Sequence, residues 1–182
     1  MWHHTIAILV GGQSRRMGEP KHRVELPNGK TMIDMMIGFA ESTASSVVIV
    51  GGEVEGVQSI PDYRNQQGPV AGIEALLGSG VDEQYLVVGC DMPNLKPKHV
   101  QQLLQCDGNA VFSFDNQLVG LPLKINKEAL TACTAYLDSG ERSIKGFIAQ
   151  CPHTSITIDS GDLDMVTSLN SPEDISKMFG ST

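Results

Sequence analysis

The run from Thr5 to Val10, T-I-A-I-L-V, ends abruptly at Gly11-Gly12, and no other stretch limits the fold so strongly. A strand that is apolar at every position, without alternation, has to be covered on both faces. A chain that opens this way needs helices above and below a sheet, and the remaining sequence supplies them. Thr31 to Glu41 carries Met32, Ile33, Met35, Met36, Ile37, Phe39 and Ala40 at helical spacing, the methionines reading as core filler. Ser46 to Val50 is a second β-branched run, stopped by Gly51-Gly52. Val70 to Leu77 reads as a helix opened by Gly68-Pro69, Tyr85 to Val88 as a third buried strand, and Lys98 to Cys106 as a helix. Ala110 to Phe114 reads as extended and Lys127 to Leu137 as helical. The order βαβαβα predicts an α/β fold, a three-layer α/β/α sandwich with a mainly parallel sheet and right-handed crossovers. Asp115 to Leu123 resembles a turn between two extended segments, an antiparallel addition to that sheet. Near the end, N-S-P-E-D-I-S-K-M-F has a helix start, with Ser171 as N-cap, Pro172 at the first helical position and Asp174 closing a capping box. No repeat or Pro/Ser-rich linker interrupts the chain, so residues 1–182 are expected to form one domain.

Composition removes several functional classes. The formal net charge of -8 argues against a broad nucleic-acid surface, which works by neutralising many phosphates. No apolar run approaches the roughly 18 to 20 residues that cross a bilayer, and the N-terminus lacks the pattern of a secretory signal. Cys90, Cys106, Cys133 and Cys151 are far apart and form no C-x-x-C pair, so reduced thiols and a cytoplasmic location are expected. The histidines show no metal-ligand spacing, and no G-x-S-x-G elbow is present. A small anionic ligand is a different matter. Arg15, Arg16, Lys21 and Arg23 are four of the 13 Lys and Arg residues, gathered just after the first strand. Taken alone, such a cluster reads equally well as a solvated charged loop.

Its position favours a ligand. A strand feeding two glycines puts backbone N–H groups at the carboxyl end of a parallel sheet, where open α/β folds bind their ligands. Glycine allows the tight turn and the close approach, and the neighbouring cations would add charge-assisted bonds to phosphate oxygens. Neither of the common phosphate loops is present. Gly11-Gly12 is followed by Gln13, Ser14, Arg15, Arg16, Met17 and Gly18, which breaks G-x-G-x-x-G, and no Gly-Lys-Ser/Thr follows. Asp91 follows the apolar stretch Leu86 to Val88 and precedes Met92-Pro93, so its carboxylate is expected at that strand's carboxyl end. It could hold Mg2+ together with nucleotide phosphates, or merely cap the helix after Pro97. Gly68, Pro69 and Gly72 could equally serve as turn and packing residues.

The stretch resembles the signature L-x-G-G-x-S-x-R-M-G-x-x-K of the MobA-like nucleotidyltransferases, which include the molybdenum cofactor guanylyltransferases. Here it stands as Leu9, Gly11, Gly12, Ser14, Arg16, Met17, Gly18 and Lys21. P-D-Y-R-N-Q-Q-G-P-V-A-G-I-E-A-L-L from Pro61, V-V-G-C-D-M-P-N-L from Val87, G-E-R-S-I-K-G-F from Gly140 and S-L-N-S-P-E-D-I from Ser168 are similar to later segments of that family, in the same order. The sequence departs from the family at Ser168-Leu169-Asn170, where N-x-N is common, at Gly89 in place of a proline, and at His22-Arg23, where apolar residues are common.

The resemblance implies a Rossmann-like sandwich of the nucleotide-diphospho-sugar transferase type. It also implies transfer of GMP from GTP to the terminal phosphate of molybdopterin, with pyrophosphate released. Leu9, Val10, Gly11, Gly12, Ser14, Lys21, Asp62, Gly68, Pro69 and Asp91 would bind the nucleotide, Asp62 reading guanine. Arg16, Lys21 and Asp91 would be catalytic, Asp91 would hold Mg2+, and Arg142 and Asn170 would meet the acceptor. Cofactor-delivery proteins or molybdoenzymes would be partners, with no nucleic acid and no membrane. Two other readings stay open: a CTP-dependent transferase of the same superfamily, and a nucleotide-binding adaptor without catalysis.

Overall fold

Helices packed on both faces of the sheet account for the lack of alternation in the first apolar run. The computed structural model describes residues 2–10, 25–26, 28–64, 67–169 and 174–176. Its elements are β1 (Trp2–Leu9), α1 (Met32–Thr43), β2 (Ala44–Val50), β3 (Gln58–Ile60), α2 (Pro69–Gly78), β4 (Gln84–Gly89), α3 (Pro97–Leu104), β5 (Asn109–Phe114), β6 (Gln117–Asn126), α4 (Leu130–Asp138), α5 (Ile144–Ala149) and β7 (His153–Thr157). Short 3-10 helices cover Lys127–Ala129 and Ser160–Val166. The strands form one sheet in the order β3-β2-β1-β4-β6-β5-β7. β1 pairs in parallel with β2 and β4, and β2 in parallel with β3.

β6 is the antiparallel strand. It lies between β4 and β5, opposed to both, while β7 runs parallel to β5. The turn that sends it back is Asp115-Asn116, with φ of 49° and 59° between the paired residues Phe114 and Gln117. Two positive φ values suit a two-residue hairpin turn, and Asp and Asn tolerate that region better than most side chains. The expected antiparallel addition is therefore present.

Two cores cover the sheet. Ala7 and Leu9 of β1 and Tyr85 and Val87 of β4 face one way, onto Val70, Ile73 and Leu76 of α2, Cys133 and Leu137 of α4, and Phe147 of α5. Ile6, Ile8, Leu86 and Val88 face the other way, onto Ile33, Met36 and Ala40 of α1, Val100 and Leu103 of α3, and Met165. The period of two along each strand thus divides the chain into the three expected layers. A third, smaller cluster joins Leu26, Met32, Leu169 and Ile175. No helix among the described residues is long and apolar enough to cross a membrane.

Several boundaries differ from the sequence reading. α1 starts after Thr31, whose hydroxyl accepts from the Asp34 N–H while the Asp34 carboxylate accepts from the Thr31 N–H at 2.9 Å. The helix then runs to Thr43, two residues past the expected end. α3 begins at Pro97 and ends at Leu104, and the helix expected over Lys127–Leu137 is a 3-10 turn followed by α4. β3, α5 and β7 were not anticipated. The helix start at Ser171 and Pro172 lies outside the described residues, and 174–176 is helical.

Candidate active site

The carboxyl ends of β1 to β4 are tied together. The Val10 N–H donates to Val50 O at 3.0 Å, Gly51 N–H to Ile60 O at 3.1 Å, and Cys90 N–H to Leu9 O at 3.1 Å. Gly52 packs directly on Val10 Cγ2, in space a Cβ would fill, so the Gly51-Gly52 pair lets the β2 end close against β1. Leu9 and Val10 are buried at this edge, where the strand hands over to the glycine loop. Gly11, Gly12, Ser14, Arg16 and Lys21 lie outside the described residues, as does Asn170.

Asp62 stands just beyond the end of β3. Gly72 of α2 lies beneath it: a Cβ there would meet Val50 Cγ1 at 3.0 Å, Asp62 Oδ1 at 3.2 Å and Leu9 Cδ2 at 3.4 Å. The glycine brings α2 against the ends of β1 and β2 and places Asp62 and Leu9 side by side. Asp62 Oδ1 is buried and has no hydrogen-bond partner among the described residues. Burial accordingly pushes the Asp62 carboxyl above its ordinary value, because desolvation penalises the charged form. An unsatisfied buried acceptor at a strand end is suited to a ligand that brings N–H donors. Gly68, at a φ of 79°, is the N-cap of α2 without a side-chain cap, and Pro69 takes the first turn.

Asp91 lies across β2 and β1 from Asp62, immediately past β4. It does not cap α3, whose N-cap is Lys96, with His99 Nδ1 accepting from the Lys96 N–H at 3.2 Å. The Asp91 side chain is half-buried and folds back over Gly89, where a Cβ would stand 2.6 Å from Asp91 Oδ1. Glycine at position 89 thus leaves room for the carboxylate. From the other side the Leu169 N–H donates to the Asp91 carbonyl at 3.0 Å, anchoring the segment that leads to Asn170. Among the described residues no group of three His, Cys, Asp or Glu side chains could hold a metal ion by itself. A carboxylate lodged over a glycine at a strand end fits Mg2+, a hard cation that takes few protein oxygens and fills its shell from phosphates and water.

Arg142 comes close to the same loop through its backbone, its Cβ and carbonyl each lying 3.9 Å from the position of a Gly68 Cβ. Its guanidinium turns back to the end of α4, Nη1 donating to Leu137 O at 2.8 Å and Glu141 O at 2.5 Å. Sequence reasoning passed over Arg64, which binds Glu74 and Asp138, because neither partner stands at a spacing that marks a motif. It also missed the Leu169–Asp91 bond, a backbone contact that side-chain identity does not signal.

The MobA-like NTP transferase domain family matches residues 6–154. A molybdenum cofactor guanylyltransferase of Photobacterium profundum is 32% identical over 191 residues, covering 96% of this chain and 94% of the relative. A probable molybdenum cofactor guanylyltransferase of Pelotomaculum thermopropionicum is 35% identical over 106 residues, 56% of this chain and 51% of that relative, so this match spans about half its length. The solved molybdopterin-guanine dinucleotide biosynthesis protein A of Archaeoglobus fulgidus shares the fold, with a TM-score of 0.79 at 23% identity over 95% of each chain. The family match runs from inside β1 to the start of β7, over the strand ends that carry Leu9, Asp62 and Asp91, and the chain belongs to the MobA-like NTP transferase family.

Proposed function

We propose that the chain transfers GMP from GTP to the terminal phosphate of molybdopterin, forming molybdopterin guanine dinucleotide and pyrophosphate. The observation that carries this is Asp62 Oδ1, a buried acceptor without a partner among the described residues, beside Leu9 and Gly72. Guanine presents N1–H and N2–H to such a carboxylate, and adenine and cytosine lack that donor pair. The family membership and the guanylyltransferase relatives support the same reading.

In the reaction an oxygen of the acceptor phosphate forms a bond to the α-phosphorus of GTP. The bond to the bridging oxygen breaks in line, and its electron pair leaves with pyrophosphate. The acceptor oxygen is already anionic near neutral pH, so positioning and charge neutralisation are what the protein must supply. Gly11, Gly12 and Ser14 would hold the triphosphate, Arg16 and Lys21 would bind the leaving pyrophosphate, and Gly68-Pro69 would border the nucleoside. Mg2+ held by Asp91 would supply charge neutralisation at the phosphates. Arg142 and Asn170 would meet the acceptor, Arg142 by giving up part of its hold on the Leu137 and Glu141 carbonyls. Cofactor-delivery proteins or molybdoenzymes would take the product.

The test is calorimetric titration of the full chain with GTP, CTP and ATP in Mg2+, followed by pyrophosphate release with molybdopterin. GTP binding and release are expected, with most turnover lost in Lys21→Ala and Asp91→Ala while both variants stay folded. A preference for CTP, or binding without turnover, would replace this reading.

A further inference from the structure

Three successive residues of the loop after β3 lie against α2. Asp62 Oδ1 approaches Gly72, the Tyr63 ring approaches Gly78, and Arg64 grips Glu74. The grip is a fork: Arg64 Nε donates to Glu74 Oε2 at 2.7 Å and Nη2 to Oε1 at 2.9 Å, while Nη1 donates to Asp138 Oδ1 at 2.6 Å. Glu74 is 6% exposed, in the second turn of α2, and Asp138 is the last residue of α4. One guanidinium therefore fastens the loop to two helices, in the bidentate geometry that fixes direction as well as distance. Asp62 and Arg64 are two residues apart, and so are their contacts Gly72 and Glu74. The Asp62 carboxylate has no partner of its own at Oδ1 among the described residues, so the loop backbone must hold it in place.

We propose that Arg64 is a positioning residue for base selection: its fork to Glu74 and Asp138 holds the loop so that Asp62 is aimed before a nucleotide arrives. This rests on the reading of Asp62 as the guanine acceptor. A carboxylate that must meet two donors at once discriminates only if its supports are rigid to about half an ångström. A loop already ordered also spares the nucleotide the cost of ordering it.

Removing Arg64 alone would leave Glu74 buried and unpaired, which threatens the fold itself. Two variants avoid that confusion. Arg64→Lys keeps the charge and loses the fork, and the double variant Arg64→Met with Glu74→Met removes the buried pair together. Full-length wild type and both variants are titrated with GTP and with inosine triphosphate, which lacks the 2-amino group, and thermal midpoints and steady-state turnover are recorded. The expected result is a folded protein that binds GTP about tenfold more weakly, with inosine triphosphate affected much less and KM for GTP rising more than kcat falls. A wild-type preference for GTP that survives intact in folded Arg64→Lys and in the double variant overturns the role of Arg64 and leaves Asp62 in place. A wild type without that preference overturns the guanine reading of Asp62, and the proposal with it. If the double variant does not fold, Arg64→Lys decides.

Discussion

The Leu169 N–H donates to the carbonyl oxygen of Asp91 at 3.0 Å, while the Leu169 side chain packs with Leu26, Met32 and Ile175. One residue thus joins three parts of the site: the chain leaving the basic loop, the start of α1, and the strand end that carries Asp91. Leu26 is held in turn by a tight turn, its N–H donating to Lys30 O at 2.8 Å. Truncating a buried leucine costs about 2–5 kcal/mol where the gap cannot close. In this satellite cluster the loss is expected to be local. Leu169→Ala should speed hydrogen exchange in 168–169, 174–176, 25–26 and 28–35 and reduce turnover, with the exchange protection of β1 and β4 kept. Uniform loss of protection across the sheet would show that the cluster has no separate role.

Gly89 makes a sharper prediction. An alanine Cβ there would stand 2.6 Å from Asp91 Oδ1, against an ordinary contact of at least 3.4 Å, so the carboxylate must move by about 0.8 Å. Displacements near 1 Å at a reacting centre cost on the order of a hundredfold in rate. Gly89→Ala should fold, bind nucleotide in the absence of Mg2+ as wild type does, and lose about a hundredfold in turnover. Wild-type turnover would mean that Asp91 works from another position.

The layers were legible in the sequence and the edges were not. Thr5–Val10 and Tyr85–Val88 stand out because a strand covered on both faces has no polar positions, and that signal is local. β3 has three residues, Gln58, Ser59 and Ile60, and β7 is the largely exposed H-T-S-I-T at the sheet edge, so neither has an apolar period to read. In the site, Asp91 could be placed at a strand's carboxyl end from the apolar run before it, whereas Leu9 and Asp62 were legible only through the family resemblance. The clamp that holds Asp62 was legible from neither. Arg64 reaches Glu74 across 10 residues and Asp138 across 74, and only the packing of α2 against α4 makes them neighbours.

Asp62 should show opposite effects on stability and binding. Its carboxyl is pushed above the ordinary value by desolvation, so the ionised form costs stability in the free protein. That cost is absent below the ordinary carboxylate range and grows as pH rises through the raised value. Asp62→Asn should therefore raise the thermal midpoint of the free protein near neutral pH and weaken GTP binding by about 10- to 100-fold. In wild type the affinity for GTP should fall as pH falls through the same raised value, and comparison with Asp62→Asn, which has no carboxyl to titrate, cancels the titration of the phosphates. Identical pH profiles for wild type and Asp62→Asn would remove Asp62 from base reading.

His99 gives the last prediction, on stability alone. Its ring is 2% exposed, stacks edge-on against Phe112 at 6.5 Å, and uses Nδ1 to accept the Lys96 N–H at the start of α3. Nε2 stands 3.6 Å from Asp162 Oδ1, too far for a hydrogen bond, and Asp162 is already taken by Lys98 at 2.9 Å. Burial, with Lys98 and Lys96 repelling a charge and only Asp162 favouring it, holds the imidazole below its ordinary value. A group depressed in this way contributes stability above the ordinary histidine range and loses it as pH falls towards the folded value, because the unfolded chain takes up the proton first. His99→Gln keeps an acceptor at the third helical position, as a capping box requires, and removes the titration. Urea midpoints compared from about pH 7.5 to about pH 5.5 should fall more steeply for wild type than for His99→Gln, the difference approaching one proton taken up on unfolding. Parallel curves would mean that Asp162 compensates the ring fully, and that the end of the Ser160–Val166 turn is held to α3 by charge and not by a neutral imidazole.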